Sequence, residues 1–151
     1  FLLEKDPTLI EYSAFFGSIQ IFRYLYLNGV ELKPSIWIYA IHGNNPELIH
    51  LLEENKIKPQ DETYREIFKE SIKCHHFDIT NYIQNNFFQN NQFDEDDEYI
   101  SSQSIKYSNY TYFPNNLNNK SVFYDLCQYD YFTLVNFLLK NLKFDVNSLV
   151  I

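Results

Sequence analysis

The chain is poor in the parts from which common catalytic and nucleic-acid sites are made. Its 151 residues include only 3 Gly, so the glycine-rich loops that cradle phosphates are largely excluded. Two cysteines, Cys74 and Cys127, do not make a disulfide framework. A reduced, intracellular (cytoplasmic) setting is therefore the default expectation. Lys and Arg number 12 against 20 Asp and Glu, for a net charge of −8. That balance lacks the basic stripe that nucleic acid demands, so no nucleic-acid partner is expected. No apolar run approaches the roughly 18–20 residues of a transmembrane helix, so no membrane partner is expected either. Met is absent, and the sequence opens on Phe1 and stops at Ile151. This reads as a segment of a longer protein, whose targeting signals would lie outside it.

What the chain does have is apolar and aromatic. Hydrophobic residues make up 45% and aromatics 19%, enough to offset the entropy of ordering a packed core. Asn recurs in pairs, as in Asn44-Asn45, Asn85-Asn86 and Asn118-Asn119. Asn tolerates a left-handed backbone and can stand in for Gly at helix ends.

The pattern repeats. In residues 8–33, Thr8 is a candidate N-cap. Ile10, Ser13 and Ala14 share one helical face, and Gly17 supplies a turn. Ile21, Tyr24 and Leu25 suggest the apolar face of a second helix, which Asn28-Gly29 ends. Residues 35–58 repeat this with Ser35 as N-cap, Trp37, Ala40 and Ile41 inside, Asn44 at the turn, and Leu48, Leu51 and Leu52 beyond it. Pro46 opens the second helix, where its fixed φ is welcome. Residues 61–87 follow with Ser71-Ile72, His75, and then Ile79, Tyr82 and Ile83. Their first helix is expected to begin near Asp61 or Thr63, with Thr63–Glu66 as a capping box. Residues 121–147 give Ser121 as N-cap, Phe123, Leu126 and Cys127 inside, Asp130 at the turn, and Leu134, Phe137 and Leu138. The turn position thus reads Gly, Asn, His, Asp, the types enriched at positive φ. Residues 88–120 are an irregular insertion. Its acidic run Asp94–Glu98 reads as a solvated loop without metal, since it lacks the central glycine of a calcium loop. Tyr99–Phe113 fits either a decayed repeat or an extended aromatic segment.

The unit resembles an ankyrin repeat. Ser13-Ala14-Phe15-Phe16-Gly17 with Asn28-Gly29-Val30 carries the likeness, as does Phe137-Leu138-Leu139-Lys140-Asn141 with Asp145-Val146-Asn147. The chain is most similar to the divergent, Asn- and aromatic-rich ankyrin arrays of some protists. The motif histidine is replaced by Glu11, Ile38 and Tyr124, so its hydrogen-bonding role is expected to be lost. Phe1–Lys5 resembles the end of a preceding repeat. The resemblance implies an all-α solenoid of stacked antiparallel helix pairs forming one repeat domain over 1–151. It also implies a non-catalytic protein–protein interaction module, or a structural segment that caps or extends a longer array.

In such arrays the first helix of each pair lines a concave face. The positions assigned to it are Tyr12, Phe15 and Phe16, then Tyr39, His42 and Gly43, then Asp125, Gln128 and Tyr129. Clustered exposed aromatics mark interfaces, although Phe15 and Phe16 equally fit burial against a neighbouring repeat; the acidic balance suits a neutral or basic protein partner. Cys74-His75-His76 is the one tempting metal group, as a remote reading. Adjacent residues without a second ligand pair make a poor zinc site. No G-x-S-x-G, H-E-x-x-H, Walker A or dinucleotide fingerprint occurs, so neither enzyme activity nor a cofactor is expected.

Overall fold

A computed structural model describes residues 6–87, 98–117 and 119–141. Among them are nine α-helices and no strand, so the protein is all-α. They are α1 (Leu9–Phe15), α2 (Ile19–Leu27), α3 (Ile36–His42), α4 (Pro46–Glu54), α5 (Arg65–Lys73), α6 (Phe77–Phe87), α7 (Glu98–Lys106), α8 (Lys120–Gln128) and α9 (Phe132–Asn141). A short 3-10 helix, Tyr110–Tyr112, follows α7. The helices fall into two compact units, divided between Gln89 and Asn90.

The first unit holds three helix pairs, α1 with α2, α3 with α4, and α5 with α6. Within it α3 packs on both α1 and α5. The small residues expected inside are there: Ala14 and Ala40 are fully buried, beside Trp37, Ile41 and Ile72. Ser13 and Ser71 are buried too, and each hydroxyl donates to the carbonyl three residues back, Ile10 or Phe68. A hydroxyl satisfied within its own helix adds no desolvation penalty where a neighbouring helix must come close. Gly17 and Gly43 mark the closest approach: a Cβ on Gly43 would lie 2.1 Å from the Ala14 carbonyl oxygen.

The second unit has α7 against α8 and α8 against α9. Its core is Ile105, Val122, Phe123, Leu126 and Leu138. Ser104 repeats the serine device, donating to the Ser101 carbonyl at 2.8 Å. The stretch whose sequence fits either a helix or an extended segment is thus a helix followed by a 3-10 turn.

One turn unites these pairs. Gly17, Asn44, His75, Ser108 and Asp130 all have positive φ, between 46° and 62°. At Gly17, His75, Ser108 and Asp130 that residue's N–H bonds three residues back, and the next N–H reaches five back. This is the Schellman closure, which satisfies carbonyls the helix end would otherwise leave bare. Ser108 extends the set beyond the four turns the sequence suggests, and Gly29 and Lys56 close α2 and α4 in the same way. The recurrent Asn at second-helix ends acts through its side chain. Asn28, Asn55, Asn86 and Asn141 each donate a side-chain N–H to the carbonyl four residues back.

Several local expectations need correction. In α2, Phe22 is the fully buried residue, while Ile21 and Tyr24 are 52% and 67% exposed and Leu25 is half-buried. Phe137 and Cys127 are exposed; Val122, Phe123 and Leu126 fill the α8 side of the core and leave Cys127 outside it. Ser35 precedes α3 but does not cap it; its hydroxyl donates to Glu11 Oε1 at 2.7 Å instead. Ser121 lies inside α8, whose cap is Asn119. No Thr63–Glu66 capping box forms: α5 begins at Arg65, and the Asp61 carboxylate receives the Glu66 N–H. Of the acidic run only Glu98 is described, at the start of α7; Asp94–Asp97, Phe1–Lys5 and Asp145–Asn147 lie outside the described residues.

Candidate functional site

Thr8 caps α1 as expected, in a capping box with Glu11. That box draws the Glu11 carboxylate toward the next pair. Glu11 Oε2 accepts from the Thr8 N–H and hydroxyl, and Oε1 accepts from Ser35. Burial would raise the Glu11 carboxyl, but these bonds and the Lys33 charge leave it below its usual value. Glu11 thus ties the start of α1 to Ser35, just before α3.

On the same helix, Tyr12, Phe15 and Phe16 fall at i, i+3, i+4. Their rings touch, with Phe15 edge-on to Phe16 at 5.1 Å and Tyr12 5.7 Å from Phe16. Phe15 then stacks on the His42 imidazole of α3 at 4.9 Å. Tyr39 shares a shallow depression with Pro7, Tyr12, Phe15 and Phe16. Five of the expected surface residues, Tyr12, Phe15, Phe16, Tyr39 and His42, are therefore brought together. Phe16 is 66% exposed and Tyr12 47%. Gly43, placed on that face by the repeat, is instead wedged against the α1 end. Asp125, Gln128 and Tyr129 belong to the second unit. There Tyr129 packs beside the core, and Gln128 Nε2 lies 3.4 Å from its hydroxyl.

Next to the aromatic group is a cleft of about 360 Å³, lined by Phe15, Trp37, Tyr39, His42, Asp61 and Glu66 among others. Apart from His42 and the Tyr39 phenol, its ionisable lining is acidic. Asp61 Oδ2 accepts from Thr63 and from the Glu66 N–H, while its buried Oδ1 has no hydrogen-bond partner. Trp37 forms one wall and is held by its indole N–H, which donates to the Ile57 carbonyl at 2.7 Å.

His42 also faces α5. Its Nε2 is 2.7 Å from Glu70 Oε1, and its Nδ1 is 3.4 Å from Cys74 Sγ. Lys73 Nζ is 3.1 Å from the same Glu70 oxygen. The contacts with Cys74 and Glu70 outweigh burial and raise the His42 pKa to about 9. Burial would raise the Glu70 carboxyl, but the bonds from His42 and Lys73 with their charges leave it below its ordinary value. The Cys74-His75-His76 run is split by this arrangement. Cys74 turns to His42, His75 is the exposed turn residue, and His76 Nδ1 donates to the Ile41 carbonyl at 2.8 Å.

Sequence reasoning misses the His42–Glu70–Cys74 group, although a signal exists. Carrying the positions of Tyr39, His42 and Gly43 into the third pair gives Glu70, Lys73 and Cys74.

No helix among the described residues is long and apolar enough to cross a membrane. Comparison with known protein families, with curated proteins and with solved structures returns no match. The class that remains is an all-α protein of short helix pairs closed by a repeated left-handed turn, with an aromatic, acidic-lined cleft on the first unit.

Proposed function

We propose that this chain is a non-catalytic, ankyrin-like interaction module whose first unit binds an extended, basic polypeptide segment through the α1/α3 aromatic face. The supporting observation is the cleft itself: the rings of Phe15 and Tyr39 beside the carboxylates of Asp61 and Glu66, with no Lys or Arg in the lining and His42 as its one cationic side chain. Aromatic side chains bury large area while freezing few rotamers. The carboxylates favour Lys or Arg on the ligand and disfavour acidic competitors.

Selection from a display library of random peptides tests this reading. Enriched sequences should combine a basic residue with an aromatic or aliphatic anchor. Binding should fall at least about tenfold, or about 1.4 kcal/mol, when Tyr12 and Tyr39 are both changed to Ala in protein of unaltered circular dichroism. Changes at Arg23 and His50 should leave it intact. Loss of binding on the Arg23 and His50 changes, with survival on Tyr12→Ala and Tyr39→Ala, would reject the assigned face.

A second reading, a structural segment of a longer array, draws on a separate observation. Leu9, Ile21, Tyr24 and Leu27 on α1 and α2 are exposed, Leu27 at 82%. A further repeat stacked there would cover them.

A further inference from the structure

Three metal-ligating side chains of different chemistry converge between α3 and α5. His42 is the last residue of α3; Glu70 lies on α5 and Cys74 is its C-cap. Glu70 and Cys74 are four residues apart, so they project from one face of their helix. One ligand atom from each of the three lies within 4.8 Å of the other two. We infer that His42, Glu70 and Cys74 form a binding site for a zinc-like divalent cation, independent of whether the neighbouring cleft binds a peptide.

The distances fit. Zn–S near 2.3 Å and Zn–N near 2.05 Å, at a tetrahedral angle, place sulfur and nitrogen about 3.5 Å apart. The imidazole ligates through one nitrogen; for Nε2, the one beside Glu70, Cys74 Sγ is 3.9 Å away and must close by roughly 0.4 Å. The corresponding nitrogen–oxygen separation is about 3.3 Å. His42 Nε2 and Glu70 Oε1 are 2.7 Å apart, so the carboxylate must withdraw by roughly half an ångström as the metal replaces the shared proton. Glu70 is buried, and His42 and Cys74 are half-buried. The donors are therefore already desolvated and held by packing, and the imidazole is further fixed by the Phe15 ring stacked on it. Three protein donors leave a fourth position for water or a ligand atom, the pattern of an open zinc site rather than a closed structural one. The mixture of thiolate, imidazole and carboxylate suits zinc better than magnesium or calcium, which want oxygen alone. One group works against the cation. Lys73, bonded to Glu70 Oε1, must yield that oxygen, so it weakens the site by competition.

The test uses the full chain, reduced and freed of metal by chelation, titrated with Zn²⁺ against a chromophoric chelator and separately with Co²⁺. One equivalent should bind. The cobalt form should show the visible bands of a four-coordinate ion and a near-ultraviolet sulfur-to-metal transition. Cys74→Ser should remove the near-ultraviolet transition while Cys127→Ser keeps it. His42→Gln and Glu70→Gln should each lower zinc affinity by at least about tenfold, the effect even outer-shell changes produce. His75→Ala should leave affinity unchanged, and Lys73→Gln should raise it. The proposal is overturned if the unaltered protein binds no stoichiometric zinc. It is equally overturned if binding survives Cys74→Ser and His42→Gln together, or if His75→Ala abolishes it.

Discussion

The two units use the same turn to different ends. In the first, the turn residue supports close stacking. Gly17 faces the Gly43 carbonyl, which a Cβ on Gly17 would meet at 2.6 Å. The residue after each later turn also reaches back to the preceding pair. Asn45 Nδ2 donates to the Gly17 carbonyl, and His76 to that of Ile41. The second unit repeats the reach-back, with the Tyr131 hydroxyl donating to the Ile105 carbonyl at 2.8 Å. There, however, the turn at Ser108 leads only into the 3-10 segment Tyr110–Tyr112. A left-handed residue with two back-bonds thus suffices to close a helix whether or not a full second helix follows. Recognition chemistry is distributed unequally as well. All four histidines and the aromatic cleft lie in the first unit. The second has an open groove of about 590 Å³ lined by Tyr110, Tyr129, Tyr131 and Phe132, with Asp130 as its one carboxylate and no histidine.

The largest expected effects lie in the cores. Trp37 is fully buried, with its indole hydrogen bonded and with Tyr64 and Phe87 edge-on to it. Trp37→Ala should cost about 3–5 kcal/mol in chemical denaturation. Leu126→Ala in the smaller core should cost about 2–5 kcal/mol, toward the lower end if the site collapses. If Leu126→Ala proves the costlier of the two, the first unit is not the better-packed one.

The turns sharpen the contrast next. Gly17→Ala meets both a left-handed penalty of about 1–2 kcal/mol and the Gly43 carbonyl, so it should destabilise by more than that penalty alone. Ser108→Gly relieves the same backbone strain and should stabilise by no more than about 1 kcal/mol. Equal effects of like sign in thermal unfolding would mean that space at the Gly17 turn is unimportant.

A smaller effect follows from His42. Its folded-state pKa of about 9 lies above the ordinary 6.5. The stabilisation it brings is therefore complete below about 6.5 and is lost as pH rises through about 9. In metal-free buffer, stability should decline across that window, and His42→Gln should flatten the decline. Glu70 acts in the opposite sense. Its lowered pKa contributes stability above the ordinary value of 4.5, and that is lost as pH falls through the folded value. A slope unchanged in His42→Gln would separate the histidine from stability.

Much of this is legible in the sequence because helix closure and helix packing are local. Gly17, Asn44, His75 and Asp130 are readable as turn residues since positive φ restricts residue type. Ala14, Trp37, Ile41, Leu52, Leu126 and Leu138 are readable as core from their recurrence, and all are buried. The α2 face is misread because Ile21, Phe22, Tyr24 and Leu25 are all apolar, so periodicity cannot choose among them. Caps at Ser35 and Ser121 fail for a different reason: several hydrogen-bonding residues compete at each start, and the third dimension decides. Ser35 goes to Glu11 and Asn119 displaces Ser121. The His42–Glu70–Cys74 group joins residues of two pairs, whereas adjacency in sequence points to His75 and His76.

The most direct test of the binding assignment compares one tyrosine from each unit. A basic peptide with an apolar anchor, labelled for fluorescence anisotropy, would be titrated with the unaltered chain, with Tyr39→Ala and with Tyr129→Ala. Tyr39 lines the acidic cleft, so Tyr39→Ala should weaken binding at least about tenfold, or about 1.4 kcal/mol, while Tyr129→Ala leaves it within about twofold, or about 0.4 kcal/mol. The reverse order, or equal affinity for all three proteins, would contradict the account.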